Sequence, residues 1–136
     1  MLKIRSYKQS DYYSAAKILK EGGLFNPATD NRKTLNWIAK KYPGTILVAE
    51  EDKKAIGTVS VQLGRAPMVF RLAVAKENRK QGIGSKLLKA AEKIIKKAGY
   101  KESYLLAENK NSRLQDFYSR NGYLKGGVYR LRYKKL

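Results

Sequence analysis

The stretch from Met68 to Ala98 constrains the chain most. An apolar run, MVFRLAVAKE, leads into a polar turn, NRKQGIG, and then into SKLLKAAEKIIKKA. Met68 to Val74 is too short for a helix with its own face, and its apolar residues are nearly continuous, as in a strand covered on both sides. After the turn, Leu87, Leu88, Ala91, Ile94, Ile95 and Ala98 recur at helical spacing, while Lys86, Lys89, Glu92, Lys93, Lys96 and Lys97 fill the opposite side. Gly99 follows directly and suits the left-handed residue that stops a helix. The reading is strand, glycine loop, helix.

The first N–H groups of a helix lack partners within it, and the aligned peptide dipoles put partial positive charge there. Gly82 and Gly84 at that point let phosphates approach the backbone closely, so the loop is a candidate pyrophosphate cradle, with Arg79 and Lys80 adding charge. Two common nucleotide signatures do not fit. A P-loop needs Gly-Lys followed by Ser or Thr, and here Ser85 separates Gly84 from Lys86; the third glycine of the dinucleotide pattern is replaced by Leu87.

These residues resemble the GCN5-related N-acetyltransferases (GNAT), whose acetyl-coenzyme A signature, R/Q-x-x-G-x-G/A, stands here as Arg79, Lys80, Gln81, Gly82, Ile83, Gly84. A second stretch, NKNSRLQDFYSRNGY, resembles the family's C-terminal signature, with Asn111, Tyr118, Gly122 and Tyr123 at its positions. Each residue also has a plainer reading. Asn111 suits a helix cap, and Tyr118 shares a helix face with Leu114 and Phe117 as a core aromatic would.

The resemblance implies a single GNAT-like domain over residues 1–136, of α/β (α+β) class: a mixed, mainly antiparallel sheet of about six to seven strands with helices on both faces. It implies acetyl-coenzyme A as co-substrate and a primary amine as acceptor, joined by direct attack in a ternary complex. Cofactor contacts are expected from the backbone at Leu72, Ala73 and Val74, from Arg79, Lys80, Gln81, Gly82, Ile83, Gly84 and Ser85, and from Asn111 and Tyr118. Tyr118 is the expected catalytic acid, since a phenol of pKa about 10 is protonated at neutral pH and can donate to the departing thiolate. Where many relatives carry a glutamate before the Asn, this chain has Leu106, and the central strand offers Arg71 where others often carry an acid. Glu108, near in sequence, and Glu50, at the end of the second strand, are the carboxylates to consider, but neither is at a matched position, so no base is assigned.

Composition narrows the chemistry. Among 136 residues there is neither cysteine nor histidine, which removes disulfides, thiol nucleophiles, histidine bases and nearly all zinc chemistry; no metal is expected. No apolar run approaches the ~20 residues of a membrane span, and Met1 to Tyr7 lacks signal-peptide character, so a cytoplasmic protein without membrane attachment is expected, monomeric or a homodimer. The 30 Lys and Arg against 11 Asp and Glu give +19, a field that favours polyanions, coenzyme A phosphates among them. The lysines run through every segment and do not single out a nucleic-acid site. Two other classes stay in view: a non-catalytic coenzyme A or protein-binding module, and a basic nucleic-acid-associated protein.

The remaining elements read in order. Leu2 to Tyr7 is a strand, followed by a helix capped by Ser10 and ended by Gly22 and Gly23. Leu35, Ile38, Ala39 and Tyr42 mark a second helix before Pro43 and Gly44. In the resembled family this helix pair and its loop wall the acceptor site, which makes Phe25 and Trp37 candidate contacts, although burial in the core is the usual fate of such aromatics. TILVAEE and AIGTVSVQL form a hairpin across DKK, with Val59, Val61 and Leu63 on the buried face and Thr58, Ser60 and Gln62 on a polar one. SYLLAEN supplies a fifth strand, a helix runs from Asn111 to Asn121, and YLKGGVYRLRYKKL is a strand pair turned at Gly126 and Gly127.

Overall fold

The computed structural model describes residues 1–136, which form two compact units, Met1–Leu105 and Leu106–Leu136. The first holds a five-stranded sheet in sequential order: β1 (Lys3–Ser6), β2 (Ile46–Glu51), β3 (Lys54–Gln62), β4 (Met68–Val74) and β5 (Tyr104–Leu105). The first four pair antiparallel, and β4 pairs parallel with β5. That last step requires a crossover, which α3 (Ile83–Lys97) supplies. Helices α1 (Tyr12–Glu21) and α2 (Arg32–Lys41) lie between β1 and β2 in the chain.

Helices cover both faces of this sheet. On one, Ala15 and Leu35 from α1 and α2 pack with Tyr7, Ile46, Val48 and Ala55, while Ile18 and Leu19 pack with Ala73 and Ala75. On the other, α3 sets Leu87 and Ile83 against Gly57 so closely that a Cβ there would lie 2.8 Å from Leu87 Cδ1 and 3.4 Å from Ile83 Cγ2. Burial on both sides explains why Ile46, Leu47, Val48 and Ala49 are all apolar without alternation. It also corrects the expectation for β3. Thr58 is buried at 3% exposure, its hydroxyl donating to Leu47 O at 3.0 Å, and Leu63 is 37% exposed beyond the strand end.

The local chemistry of the ends is readable. The turn between β2 and β3 is Asp52–Lys53, both at positive φ (51° and 63°), the backbone of the tight hairpin turn that matches strand twist. Asn31 caps α2, accepting from Thr34 N at 2.9 Å. Gly99, at φ 100°, follows α3 as anticipated. Ser10 does not cap α1. A 3-10 turn, Gln9–Asp11, intervenes, and Asp11 instead accepts from Lys8 N at 2.7 Å and pairs with Arg5. Arg5 is the tie of this end of the sheet. Its Nη1 and Nη2 lie 2.8 and 3.0 Å from the two Asp11 oxygens, and its Nε and Nη2 lie 3.0 and 2.8 Å from Glu50 Oε1.

Residues 106–136 form the second unit, whose one regular element is α4 (Ser112–Arg120). The sheet therefore has five strands, not six or seven, because the expected C-terminal pair is absent; SYLLAEN still supplies the fifth, though only Tyr104–Leu105 of it is strand. Gly126 and Gly127 do not take the positive φ that a tight hairpin turn demands, and Tyr129, Leu131 and Tyr133 are 84%, 85% and 86% exposed. None of the helices is long and apolar enough to cross a membrane.

Candidate active site

Two backbone features of the first unit stand close in sequence. The first is an irregularity in β4. Thr58 faces Ala73 and Ser60 faces Phe70, so Arg71 and Leu72 together oppose Val59, a β-bulge with Arg71 at φ 54°. On its other side β4 pairs with β5 only at Met68 and Val69. From Phe70 to Val74, which includes Leu72, Ala73 and Val74, that edge has no strand partner.

The second feature is the start of α3. Its cap residue is Gly82, at φ 78°, with no side chain closing the helix end and no acid in the first turn. The first bond of the helix is Lys86 N to Gly82 O at 3.2 Å, and the amides of Ile83, Gly84 and Ser85 ahead of it meet no acceptor in the protein. Nothing lies within 4 Å of where a Cβ on Gly82 would stand. Open amides, a positive dipole end and free space in front fit an anionic group such as a pyrophosphate. Asn78, in the loop leading here, has a buried Oδ1 without a protein donor.

The residues expected to bind cofactor divide on inspection. Lys80, at φ 64°, and Gln81 are exposed beside the open helix end. Arg79 is turned the other way: its Nε donates to Val74 O at 3.1 Å and its Nη2 to Glu21 O at 3.3 Å, tying the loop to β4 and α1. Glu21 completes that tie by accepting from Lys76 N at 3.1 Å.

Asn111 and Tyr118 belong to the second unit. Asn111 is the cap of α4, its Oδ1 accepting from Leu114 N at 3.0 Å. Tyr118 is half-buried, and that burial raises its phenol pKa above the ordinary value. Its ring meets Phe117 and Tyr123 edge-on, at 5.1 and 5.8 Å between centroids. The aromatic expected at the end of the NGY motif thus packs on the tyrosine it was paired with in sequence.

Of the carboxylates, Glu50 is held by Arg5, and Glu108 is exposed with its carbonyl taking a bond from Gln115 Nε2 at 3.0 Å. Trp37 is 55% exposed and stacks edge-on against Tyr42; Phe25 packs on the Ile18 and Ala73 cluster with the Lys20 ammonium 4.7 Å from its ring. The pairing of Arg71 with Asp30, at 3.1 Å, had no signature in the sequence beyond the turn-rich NPATDN. No group of His, Cys, Asp and Glu side chains is arranged to hold a metal ion.

The family model described as an acetyltransferase (GNAT) domain matches residues 43–125, more than half of the chain and including both motifs. The chain belongs to the GNAT acetyltransferases. Solved structures share its fold. Glucosamine-6-phosphate N-acetyltransferase from Arabidopsis thaliana superposes with a TM-score of 0.79 at 19% identity, over 99% of each chain. PaiA N-acetyltransferase from Thermoplasma acidophilum, solved in complex with coenzyme A, gives 0.75 at 24% identity over 89% of this chain and 88% of its own. Ard1 from Thermoplasma volcanium gives 0.81 at 17% identity, over 93% and 84%. No curated protein sequence matches this GNAT chain.

Proposed function

We propose that this GNAT protein transfers the acetyl group of acetyl-coenzyme A to a primary amine by direct attack in a ternary complex, with residues 1–136 acting as one domain. The observation that carries the reading is the uncapped start of α3, whose amides at Ile83, Gly84 and Ser85 stand open behind a left-handed Gly82. Those amides take the pyrophosphate, with Lys80 and Gln81 at the rim and Ser85 adding its hydroxyl. The edge of β4 from Leu72 to Val74, free of a strand partner, orients the pantetheine arm and polarises the thioester carbonyl through its N–H groups. Asn111 shapes the start of α4, and Tyr118 delivers a proton to the departing thiolate. Burial, which raises the phenol's pKa above its ordinary value, keeps that proton in place until the thiolate forms.

Arg79 supports the cradle from behind and is not a phosphate ligand in this reading. No side chain serves as a dedicated base, and the attacking amine loses its proton to water. The test is to incubate the protein with acetyl-coenzyme A and a panel of primary amines while following free thiol. Amine-dependent thiol release with an acetylated product is expected. Tight coenzyme A binding without turnover on any amine would replace the transferase by a binding module.

A further inference from the structure

We propose that Arg71 selects the acceptor by holding an anionic oxygen group, a carboxylate or a phosphate, carried on the same molecule as the amine. The inference rests on the acetyl-transfer reading above and names the acceptor class for it. Arg71 sits in the β4 bulge, one residue before Leu72, where the partnerless edge carries the amides assigned to the thioester. Its side chain runs to the loop ahead of α2. There Nε lies 3.1 Å from both carboxylate oxygens of Asp30, and Nη2 lies 3.4 Å from Thr29 Oγ1.

The pair is asymmetric. The Asp30 side chain is 5% exposed and also accepts from Asn26 N at 2.8 Å, whereas the Arg71 side chain is 30% exposed. The negative partner is inside and the positive one faces solvent. Nη1 of Arg71 donates to nothing in the protein. A guanidinium has five N–H donors in a rigid fork; with Nε on Asp30 and one Nη2 hydrogen on Thr29, both hydrogens of Nη1 and the second of Nη2 remain to meet two oxygens of one anion. Arg5 shows what a purely structural arginine does in this chain: it engages Nε, Nη1 and Nη2 with protein acceptors at 15% exposure. Arg71 is held by Asp30 without being used up by it, so little ordering remains to be done when an anion arrives. The same cation lowers the pKa of an ammonium brought beside it, which helps a site without a base.

The test uses matched amines: phenylalanine against phenylalaninamide for a carboxylate, and phosphoethanolamine against ethanolamine for a phosphate. In the parent protein, kcat/KM taken per neutral amine, since a neighbouring carboxylate or phosphate raises the amine's pKa and lowers its neutral fraction, is expected to favour the anionic member of at least one pair by roughly ten- to a hundredfold, the scale of a charge-assisted contact. Which pair shows the preference tells carboxylate from phosphate. In Arg71→Gly, chosen because glycine accepts the φ of 54° without strain, the ratio falls towards one, and Arg71→Lys, charged but without the fork, recovers only part of it. Parent ratios near one, or ratios unchanged in Arg71→Gly, overturn the inference and leave acetyl transfer standing. If no amine is acetylated at all, calorimetric titration of phenylalanine and phosphoethanolamine into parent and Arg71→Gly decides the matter. Binding that the substitution abolishes supports an anion site at Arg71 apart from the transferase reading. No binding, or equal binding, removes it.

Discussion

Gly82 separates backbone strain from ligand contact, because a side chain there meets no protein atom within 4 Å. At φ 78° an L-residue with a Cβ pays about 1–2 kcal/mol in the left-handed region, and a β-branched one more. Asparagine tolerates that region far better. Gly82→Asn is therefore expected to melt close to the parent, and Gly82→Val several degrees lower, since about 1 kcal/mol moves the midpoint of a domain this size by a few degrees. Both put atoms into the free space before the amides of Ile83, Gly84 and Ser85. A hydrogen bond to a charged phosphate is worth about 1.5–3 kcal/mol, so losing one of them weakens coenzyme A binding roughly tenfold or more. Isothermal titration of coenzyme A into all three proteins, with thermal melts on the same samples, reads the two effects apart. Parental dissociation constants in both folded variants would refute the placement of the pyrophosphate at this helix start.

Tyr118→Phe should lower kcat while leaving the affinity for acetyl-coenzyme A nearly intact, as steady-state kinetics with a responsive amine will show; equal turnover removes the phenol from the mechanism. Without a dedicated base, an α-amine of pKa near 8 offers about two orders of magnitude more neutral nucleophile at pH 7 than a lysine of pKa about 10.4. A peptide with a free N-terminus and no lysine should therefore outpace a blocked peptide with one lysine, with rates rising from pH 6.5 to 9.5; the reverse order at neutral pH would expose a base. Gly57→Val drives its Cβ to 2.8 Å from Leu87 Cδ1 and 3.3 Å from Ala73 O, so a loss of about 1–3 kcal/mol or more is expected in urea unfolding. Burial pushes the Asp11 carboxyl up, but hydrogen bonds from Arg5 and Lys8 N outweigh it and hold the pKa below its ordinary value. Its contribution is thus full above the unfolded pKa of about 4 and is lost as pH falls through the lower folded value. Asp11→Asn should flatten that acid limb of the stability curve, and an unchanged limb would show that other carboxylates set it.

Legibility in the sequence followed the locality of the cause. The β4, loop and α3 unit was readable because strand continuity, the glycine at φ 78° and the 3.6-residue stripe are each local, and Leu87 and Leu88 are at 0% exposure as that stripe requires. The C-terminal motif was readable for the same reason, down to the Asn111 cap. At Arg79 the signature position suggests a cofactor contact, and what it could not announce is that the guanidinium reaches the carbonyls of Val74 and Glu21, the second of them far away in sequence. The Arg71 to Asp30 pair was invisible because it joins a strand to a distant loop and depends on a bulge no periodicity announces. At Gly126–Gly127 the composition suited a hairpin, but composition permits a turn without compelling one, and neither residue takes the left-handed backbone.

The sequential order of the sheet also bears on how the chain reaches this state. The meander β2, β3, β4 closes through a two-residue turn and a short link, so its pairing needs only small loops and can begin on the microsecond scale of hairpins. β1 must close a loop containing two helices, and β5 must wait for all of α3, steps slowed by their chain separation. The β4 edge next to β5 is then completed late and held by only two residue pairs, which makes it the part of the sheet with least to lose by opening. In native-state hydrogen exchange the amides from Phe70 to Val74 that face this edge should be the first in the sheet to trade with solvent.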